Sequence, residues 1–317
     1  MKVRVLYHDN CFDGAASAAF FTRFLQDKFY PEAEFHYSGL AHKASDLFEN
    51  NCFDGDVNAI VDFKYSPDPR LTWWFDHHQS AFLRPEDEDH FHRQSSRRKM
   101  FDPSFRSCTQ FIATKTKELY GYEARDLQEL VEWAEIIDGA LYENAQAAVE
   151  MAAPAMKLVL VIENARGTGM VQRIIQLMCR HTLSQIAGDP EVRALFEPLY
   201  QRHLESIGAI RERSRCQGGV VYFDLSDSDL EGYNKFIPYY LFPDSLYTVS
   251  VSLSSFRTKV SVGSNPWARR PLNHNLATIC ERYGGGGHAR VGAISFEKGD
   301  TDRALAAARE IVQELQL

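Results

Sequence analysis

The fold is decided by the stretch Trp73-Trp74-Phe75-Asp76-His77-His78-Gln79. An apolar run that passes directly into an acid and two imidazoles is typical of a buried strand that delivers polar groups to its C-terminal end. In open α/β sheets, this end of the strands is where ligands and metals bind. A turn that happens to contain two histidines is the alternative, and the stretch taken alone does not decide between the two.

Two further strand-like runs also end in acidic or imidazole side chains. The first, at the N-terminus, is followed by His8, Asp9 and Asp13, and the second, residues 57–61, is followed by Asp62. Three strand ends of this kind, expected at one edge of a sheet, favour a metal site over a chance turn.

The alternation of strand-like and helix-like segments predicts the fold class α/β. Strands are expected over residues 3–7, 34–37, 57–62, 71–75, 220–223, 247–253, 259–262 and 291–296. Helices are expected over residues 14–29, 43–50, 107–120, 124–137, 143–152, 168–187, 191–215, 273–283 and 301–316. The predicted organisation is a mostly parallel-sheet domain at 1–190, a helical linker at 191–215 and a smaller α/β domain with a mixed sheet at 216–317.

Residues 84–100 are polar, charged and aperiodic, which predicts a long surface loop. A solvated loop is the ordinary interpretation of such a segment. A flap that brings Arg97 and Arg98 to a substrate is the alternative.

The bulk composition is that of an ordinary soluble protein, with 317 residues, 44% of them hydrophobic and 25% charged. No apolar run approaches the ~20 residues that span a bilayer. The N-terminus predicts a strand rather than a signal peptide, so a cytoplasmic protein without a membrane partner is expected. The six cysteines form no CxxC pair, which argues against a zinc knuckle. A net charge of −8 argues against coating of long nucleic acid but leaves a small anionic substrate open.

The candidate metal ligands offer oxygen or imidazole donors and no thiolate: His8, Asp9, Asp13, Asp62, His77 and Asp138. Such a set selects Mn²⁺ or Mg²⁺ before Zn²⁺. The set carries too much negative charge for one ion, so we expect two ions bridged by a carboxylate and a water, which would be a nucleophile for phosphorus. Asp138 lies at a predicted helix C-terminus, where the helix dipole disfavours a carboxylate and a cation would compensate. Each acid taken singly could instead be a capping or surface residue.

Four consecutive glycines, Gly284 to Gly287, precede His288 between a predicted helix and a predicted strand. Their N–H groups could form an anion nest, with His288 and Arg290 beside it as phosphate ligands. The alternative is a tight turn that needs positive φ, although such a turn explains one or two glycines rather than four.

Taken in order, these motifs resemble those of the DHH/DHHA1 phosphoesterases, a family that includes RecJ-type exonucleases, oligoribonucleases and cyclic-dinucleotide phosphodiesterases. The resemblance rests on Asp13-Gly14, Asp62, Asp76-His77-His78, Asp138 and the run from Gly284 to His288, and it covers nearly the whole chain. It implies a DHH catalytic domain that holds two Mn²⁺ ions, for which Mg²⁺ or Co²⁺ could substitute, and a DHHA1 domain that binds substrate.

The resemblance also implies a role for each motif residue. Asp13, Asp62, His77 and Asp138 would bind one metal, with Asp62 bridging to a second metal that His8 and Asp9 complete. Asp76 would orient its neighbours, and His78 would face the scissile phosphate. Residues of the second domain would contact the substrate: Gly285, Gly286, Gly287, His288, Arg290, Arg257 and Asn265.

The sequence departs from the family pattern in two places. Relatives commonly place two further polar ligands before the final acid of the first motif, where this chain has Cys11 and Phe12, so His8 gains weight as a ligand. Many relatives carry an arginine-serine pair after the strand at 259–262, where this chain has Gly263-Ser264-Asn265. A substitute for that arginine is expected among the following: Arg257, Arg269 and Arg270.

The resemblance implies a Mn²⁺-dependent phosphodiesterase that uses a metal-bridged hydroxide to cleave short oligonucleotides or linear or cyclic dinucleotides to mononucleotides. A phosphatase acting on a terminal phosphate, such as the 3′-phosphate of a bisnucleotide, is the alternative among enzymes. A family II inorganic pyrophosphatase resembles the chain less, because its second domain lacks the glycine-rich histidine motif. A non-catalytic nucleotide-binding protein on the same fold is the alternative from another class, and a homodimer is left open.

Overall fold

The computed structural model describes residues 1–41, 47–48, 51–94, 96–165, 167, 169–228, 230, 232–254 and 256–316. The chain divides into two compact units. The first comprises Met1–Tyr142 and Ala152–Leu199, and the second comprises Glu143–Met151 and Tyr200–Leu317. The predicted boundaries at 190 and 216 remain a proposal.

The first unit is built on a five-stranded sheet in which all neighbouring strands are parallel. In chain order the strands are β1 (Lys2–His8), β2 (Glu34–Leu40), β3 (Val57–Val61), β4 (Leu71–Asp76) and β5 (Lys99–Phe101). Across the sheet they lie in the order β2-β1-β3-β4-β5. Every residue of β3 is buried, as expected for a central parallel strand that is covered on both faces.

Helices surround this sheet and continue along the chain into the second unit. In chain order they are α1 (Phe12–Lys28), α2 (Pro85–Gln94), α3 (Cys108–Tyr120), α4 (Gln128–Asp138), α5 (Ala145–Val149), α6 (Pro154–Asn164), α7 (Met170–Met178), α8 (Leu183–Ala187) and α9 (Pro190–Arg213). Helix α1 is rich in alanine and buried over most of its length, which lets it pack closely on the sheet. A Cβ at Gly14 would lie 2.2 Å from the carbonyl oxygen of His8, so only glycine permits this approach.

The prediction of a long surface loop at 84–100 was wrong, because most of this segment belongs to α2 and β5. Acidic residues fill the first turn of α2 and basic residues its last turn, an arrangement that the helix dipole stabilises. Asp87 and Phe91 are its buried positions, so the apolar stripe is too narrow to be recognised as periodic.

Other differences concern where helices begin and end. The predicted helix at 168–187 is two helices, because Thr182 forms a capping box with Gln185 that starts α8. Helix α6, which begins at Pro154, was not predicted. The predicted helix at 43–50 lies outside the described residues, apart from residues 47–48.

The second unit contains a six-stranded mixed sheet. Its strands are β6 (Arg215–Gln217), β7 (Val220–Leu225), β8 (Tyr247–Leu253), β9 (Arg257–Ser264), β10 (Gly286–His288) and β11 (Val291–Glu297), and its further helices are α10 (Ile237–Leu241), α11 (Leu276–Glu281) and α12 (Thr301–Leu315). The order is β10-β11-β9-β8-β7-β6, with β7 and β8 parallel and all other neighbours antiparallel. Small and branched side chains of α12, from Ala304 to Leu315, pack with valines of the central strands into one core.

These two sheets confirm the predicted fold class. Strands β6 and β10 and helix α10 were not predicted, since each has only three to five residues and too short a pattern to be recognised. Among the described residues, no helix is both long enough and apolar enough to cross a membrane.

Candidate metal centre

The ends of three adjacent strands bring acidic and imidazole groups together. Strands β1, β3 and β4 are neighbours, with Tyr7 opposite Val61 and Val61 opposite Phe75. The next residues, His8, Asp62 and Asp76, therefore lie side by side at the carboxyl edge of the sheet. Because the sheet is parallel, one edge collects all three strand ends.

Asp62 lies at the centre of this edge. Its backbone adopts a left-handed conformation with φ +59°, which is uncommon for any residue other than glycine. Its side chain is 1% exposed, and neither carboxylate oxygen has a hydrogen-bond partner in the described part of the chain. The nearest imidazole nitrogens, Nε2 of His77 and Nδ1 of His8, lie 3.4 and 3.5 Å away, beyond a good hydrogen bond.

His77 is oriented like a metal-binding imidazole. Its Nδ1 donates to the carbonyl oxygen of Phe105 at 3.0 Å, which leaves Nε2 as the atom with a free lone pair in the neutral ring. Nε2 lies 3.4 Å from Oδ1 of Asp62, 3.4 Å from Oδ2 of Asp138 and 3.8 Å from Oδ2 of Asp13. Three carboxylates thus converge on one imidazole nitrogen.

Asp13, in the first turn of α1, also caps another helix. Its Oδ2 accepts from the backbone N–H of Cys108 at 2.6 Å, and its Oδ1 accepts from the N–H and hydroxyl of Thr109 at 3.0 and 2.6 Å. These donors belong to the first turn of α3, whose dipole favours a carboxylate. Asp13 therefore has a capping role, and the same contacts aim its carboxylate at His77, so its predicted role as a metal ligand remains a proposal.

Asp76 is fully buried and orients the two histidines that follow it. Its Oδ1 accepts from the N–H groups of His77 and His78 at 2.8 and 3.2 Å and from Nδ1 of His78 at 2.7 Å. The predicted orienting contact of Asp76 is thus present. With its Nδ1 occupied, His78 retains Nε2 for another partner.

The side chains form three groups whose ligand atoms lie within 4.8 Å of one another. One contains Asp13, His77 and Asp138, a second contains Asp62, His77 and His78, and a third contains His8, Cys11 and Asp62. Asp62 and His77 each occur in two groups. The two carboxylate oxygens of Asp62 suit a ligand shared between neighbouring sites, whereas His77 has only Nε2 to offer to one ion.

Asp9 is in none of these groups of described residues. Its carboxylate accepts from the N–H of Asn10 and packs against Gly39, where a Cβ would lie 2.4 Å from Cγ of Asp9. Strand β2 therefore accommodates Asp9 through Gly39, and the predicted contribution of Asp9 to the second metal remains a proposal.

Asp138 is the last residue of α4, as the sequence predicted. Burial and the charge of Asp62 raise the pKa of Asp138. The carboxylate that the helix dipole disfavours therefore lies among other carboxylates, where a cation would stabilise it.

The charges of the metal-free cluster are strongly coupled. Burial, Asp62 and Asp138 raise the pKa of Asp13 well above its ordinary value. Burial opposes ionisation of His77, but Asp62 and Asp13 outweigh it and raise the pKa of His77 to about 10. Burial also opposes ionisation of Asp62, but His77 and His8 outweigh it and lower the pKa of Asp62. A protonated imidazole thus supplies positive charge at the place where the acids converge.

These side chains fit a divalent cation. Both oxygens of Asp62 and Nε2 of His77 are buried without hydrogen-bond partners among the described residues. Such groups are costly unless an ion or water binds them. Carboxylate and imidazole donors suit divalent cations, and the Phe105 carbonyl and Asp76 supply the outer contacts that metal ligands require.

Cys11 is the member of this cluster that sequence reasoning missed. The absence of a CxxC pair suggested that no cysteine was a ligand, yet Cys11 lies with His8 and Asp62. Burial, Asp62 and Asp13 raise the pKa of its thiol. Its position two residues before Asp13, where relatives place a polar ligand, was the available signal.

Two of the four glycines in the run of the second unit make hydrogen bonds that end helix α11. The N–H groups of Gly284 and Gly285 donate to the carbonyls of Glu281 and Cys280 and so end α11. The other two glycines, Gly286 and Gly287, are the first two residues of the short edge strand β10. The predicted anion nest is therefore wrong for Gly284 and Gly285, since their donors are occupied.

The other predicted substrate residues differ in availability. His288 and Arg290 are exposed. Arg257 donates to the hydroxyl of Ser295 at 2.9 Å, and its guanidinium lies 5.0 Å from the ring centre of Phe256. Asn265 is 1% exposed and bonds the backbone of the loops around it, which leaves its side chain no polar group for a substrate.

The fold is similar to that of several solved structures. A pGpG-specific phosphodiesterase, PggH from Vibrio cholerae, aligns with a TM-score of 0.69 at 18% identity, over 99% of this chain and 100% of that one. The DHH domain of a protein described as a member of a family of ribosomal proteins aligns with a TM-score of 0.61 at 15% identity, over 100% and 87% of the chains. RecJ from Thermus thermophilus in complex with Mn²⁺ aligns with a TM-score of 0.52 at 12% identity, over 99% of this chain and 52% of RecJ.

No protein-family model and no curated protein matches the sequence. At these low identities, the structural alignments establish the fold alone. The chain therefore has the fold of the DHH proteins, in agreement with the motifs recognised in its sequence.

Proposed function

We propose that the protein is a metal-dependent phosphodiesterase that hydrolyses short oligonucleotides or dinucleotides to mononucleotides. The observation that carries the proposal is the buried group of Asp62, His77 and their neighbours, whose polar atoms lack hydrogen-bond partners among the described residues. Groups of this kind at the carboxyl edge of a parallel sheet are characteristic of catalytic metal sites. The similarity to a pGpG-specific phosphodiesterase over the whole of both chains supports this reaction class.

Asp13, Asp62, His77 and Asp138 would hold one divalent ion, and Asp62 would also reach a second ion beside His8. We propose Mn²⁺ as the metal of the first site, because its donors are carboxylates and imidazole. When bound, the ions would neutralise the phosphate, polarise the phosphorus and provide an activated water.

The protein residues would position and protonate the reactants. Asp76 holds Nδ1 of His78 at 2.7 Å, so Nε2 is the atom available to a phosphoryl oxygen or a leaving group. Burial opposes ionisation of His78, but Asp76 and Asp62 outweigh it and raise the pKa of His78, which favours the protonated ring that such a donor needs.

We further propose that His288 and Arg290 bind the part of the substrate beyond the scissile phosphate. Both side chains are exposed. The acidic chain, with 43 acidic and 35 basic residues, lacks the general positive charge that holds long single strands. Short substrates therefore suit this protein better than long ones.

The deciding experiment compares linear pGpG, a cyclic dinucleotide, a long single-stranded oligonucleotide and a 3′,5′-bisphosphonucleotide in parallel with Mn²⁺, with products identified by chromatography. The proposal predicts the highest kcat/KM for a linear dinucleotide, with mononucleotides as products and a weak dependence on salt. Asp62→Asn should be inactive, and Asp68→Asn, whose acid bonds the backbone and side chain of Arg70 in its own turn, should be active.

Other outcomes would identify the alternatives. Faster turnover of the long oligonucleotide with a steep salt slope would indicate an exonuclease. Release of phosphate from the bisphosphonucleotide alone would indicate a phosphatase. Binding of nucleotides without turnover under any metal would indicate a non-catalytic protein.

A further inference from the structure

Cys11 occupies the position between β1 and α1. It precedes the first residue of α1 with an extended backbone, φ −125° and ψ 132°. Its Sγ lies within 4.8 Å of ligand atoms of both His8 and Asp62. The thiol is therefore grouped with two potential metal ligands.

A second observation at the same place indicates a missing ligand. Both carboxylate oxygens of Asp62 are buried without a hydrogen-bond partner in the part of the chain that the structure describes. Oδ1 lies on the side of His77, and Oδ2 lies 3.5 Å from Nδ1 of His8. The two oxygens of Asp62 thus face different imidazoles, and His8 is the one that is grouped with Cys11.

We propose that Cys11 binds the second of the two ions through its thiolate, together with His8 and Asp62, and that this site selects Zn²⁺, Co²⁺ or Fe²⁺ over Mg²⁺. The inference deepens the proposed function, since it presupposes the two-metal arrangement. It assigns the two sites different metal preferences.

Bond lengths agree with this assignment. Metal–sulfur bonds of about 2.3 Å and metal–nitrogen bonds of about 2.0 Å allow donors roughly 4 Å apart to share an ion. The ligand atoms of the His8–Cys11–Asp62 group lie within 4.8 Å of one another, close to this separation. Small side-chain rotations would complete the coordination.

A thiolate at position 11 has the same charge as a carboxylate but is a softer ligand. A thiolate carries the same single negative charge as the carboxylate that Mn²⁺ or Mg²⁺ would favour at this position, so it neutralises a divalent ion equally well. Thiolates prefer softer ions than carboxylates do. The group of Asp13, His77 and Asp138 contains only oxygen and nitrogen donors and has no such preference.

Binding exchanges a proton for the metal. The S–H bond of Cys11 breaks, a sulfur–metal bond forms, and the proton passes to the solvent. Neither sulfur nor metal changes oxidation state, so no oxidant or reductant is required.

The test uses Co²⁺ added to the full-length protein after metal removal. A thiolate ligand produces a sulfur-to-cobalt charge-transfer band in the near ultraviolet. We expect this band in the wild type and in Cys216→Ser, which makes the same atomic change at an exposed cysteine of the second unit. The band should be absent from Cys11→Ser and Cys11→Asp.

Equilibrium dialysis provides the second measurement. Cys11→Asp should still bind two ions per chain, but its preference for Zn²⁺ over Mg²⁺ at the second site should fall by about 10- to 100-fold. Thermal unfolding identifies any variant that fails to fold, and correct folding of either Cys11 variant is sufficient for the comparison.

A charge-transfer band retained in Cys11→Ser, or absent from the wild type with two cobalt ions bound, would overturn the assignment. Failure of the proposed function appears differently, as the cysteine-dependent band without hydrolysis of any nucleotide. Hydrolysis with no cysteine-dependent band would overturn the thiolate ligand and leave the phosphodiesterase intact.

Discussion

The carboxyl edge of the first sheet and the outer strand β10 of the second both present histidines, but in contrasting surroundings. His77 is buried, its Nδ1 is held by the Phe105 carbonyl, and three carboxylates lie within 4 Å of its Nε2. His288 is exposed on a strand of three residues. The first arrangement suits chemistry that depends on fixed geometry, and the second suits contacts that adapt to a substrate.

The two edges also differ in what they cost the folded state. A buried polar group left without a partner destabilises a protein by about 1–3 kcal/mol. The first edge carries several such atoms on Asp62, Asp76 and His77, together with the left-handed backbone of Asp62. The contrast teaches that the first edge holds its polar groups in place for a ligand at a cost to stability, whereas the exposed His288 requires no such cost.

Among substitutions that test this contrast, the largest loss of activity is expected at the proposed metal ligands. Asp62→Asn and His77→Ala should each lower kcat by at least about 100-fold, because even outer contacts of metal ligands are worth 10- to 100-fold. Both variants should also lose tight Mn²⁺ binding in equilibrium dialysis. Full turnover by the wild type in excess chelator would contradict this prediction, since the carboxyl edge of the first sheet would then act without metal.

A smaller effect is expected from the residue that orients the histidines. Asp76→Asn should lower kcat by about 10- to 100-fold with little change in metal stoichiometry, because the Nδ1 contact of His78 weakens. Asp102→Asn is the matched control, since the Asp102 carboxylate accepts hydrogen bonds from Ser104 within an exposed turn. Equal activities of the two variants in steady-state assays would remove Asp76 from the mechanism.

A still smaller effect is expected at the second edge. His288→Ala should raise KM by about ten-fold, the equivalent of one charge-assisted hydrogen bond, with a smaller change in kcat. The control is His36→Ala, a histidine of the outer strand β2 whose side chain contacts Glu34. A wild-type KM on every nucleotide tested would separate the second unit from substrate binding.

The smallest effect is expected on the pH dependence of stability, from His203, a buried histidine whose described partner is the Val149 carbonyl. Burial lowers the pKa of His203 below its ordinary 6.5, although the contact with the Val149 carbonyl opposes this. Below pH 6.5 the unfolded chain therefore binds a proton at His203 more readily than the folded chain does. His203 thus contributes stability that is present above pH 6.5 and is lost as the pH falls through its folded pKa. His203→Gln should reduce the loss of urea stability between about pH 7.5 and about pH 5.5. An unchanged loss would contradict this assignment.

Much of the first edge could be predicted because its residues follow directly after strongly patterned strands. Trp73 to Phe75 are fully buried, and the acid and histidines come next, so the strand determines where they lie. The long segment at 84–100 was misread because α2 buries only two of its side chains and its charges resemble those of a loop. Periodicity detects a buried face, and a nearly solvated helix has almost none.

The sequence by itself determined the α/β class and the set of acidic and imidazole residues, because hydrophobic period and strand-end position are local properties. Only the tertiary structure decided that Asp13 caps α3, that Phe105 selects the tautomer of His77 and that Cys11 lies with His8 and Asp62. Each of these contacts depends on how separate elements pack. Asp13 and Cys108 are 95 residues apart in the chain, and no local pattern encodes a distance of 2.6 Å between them.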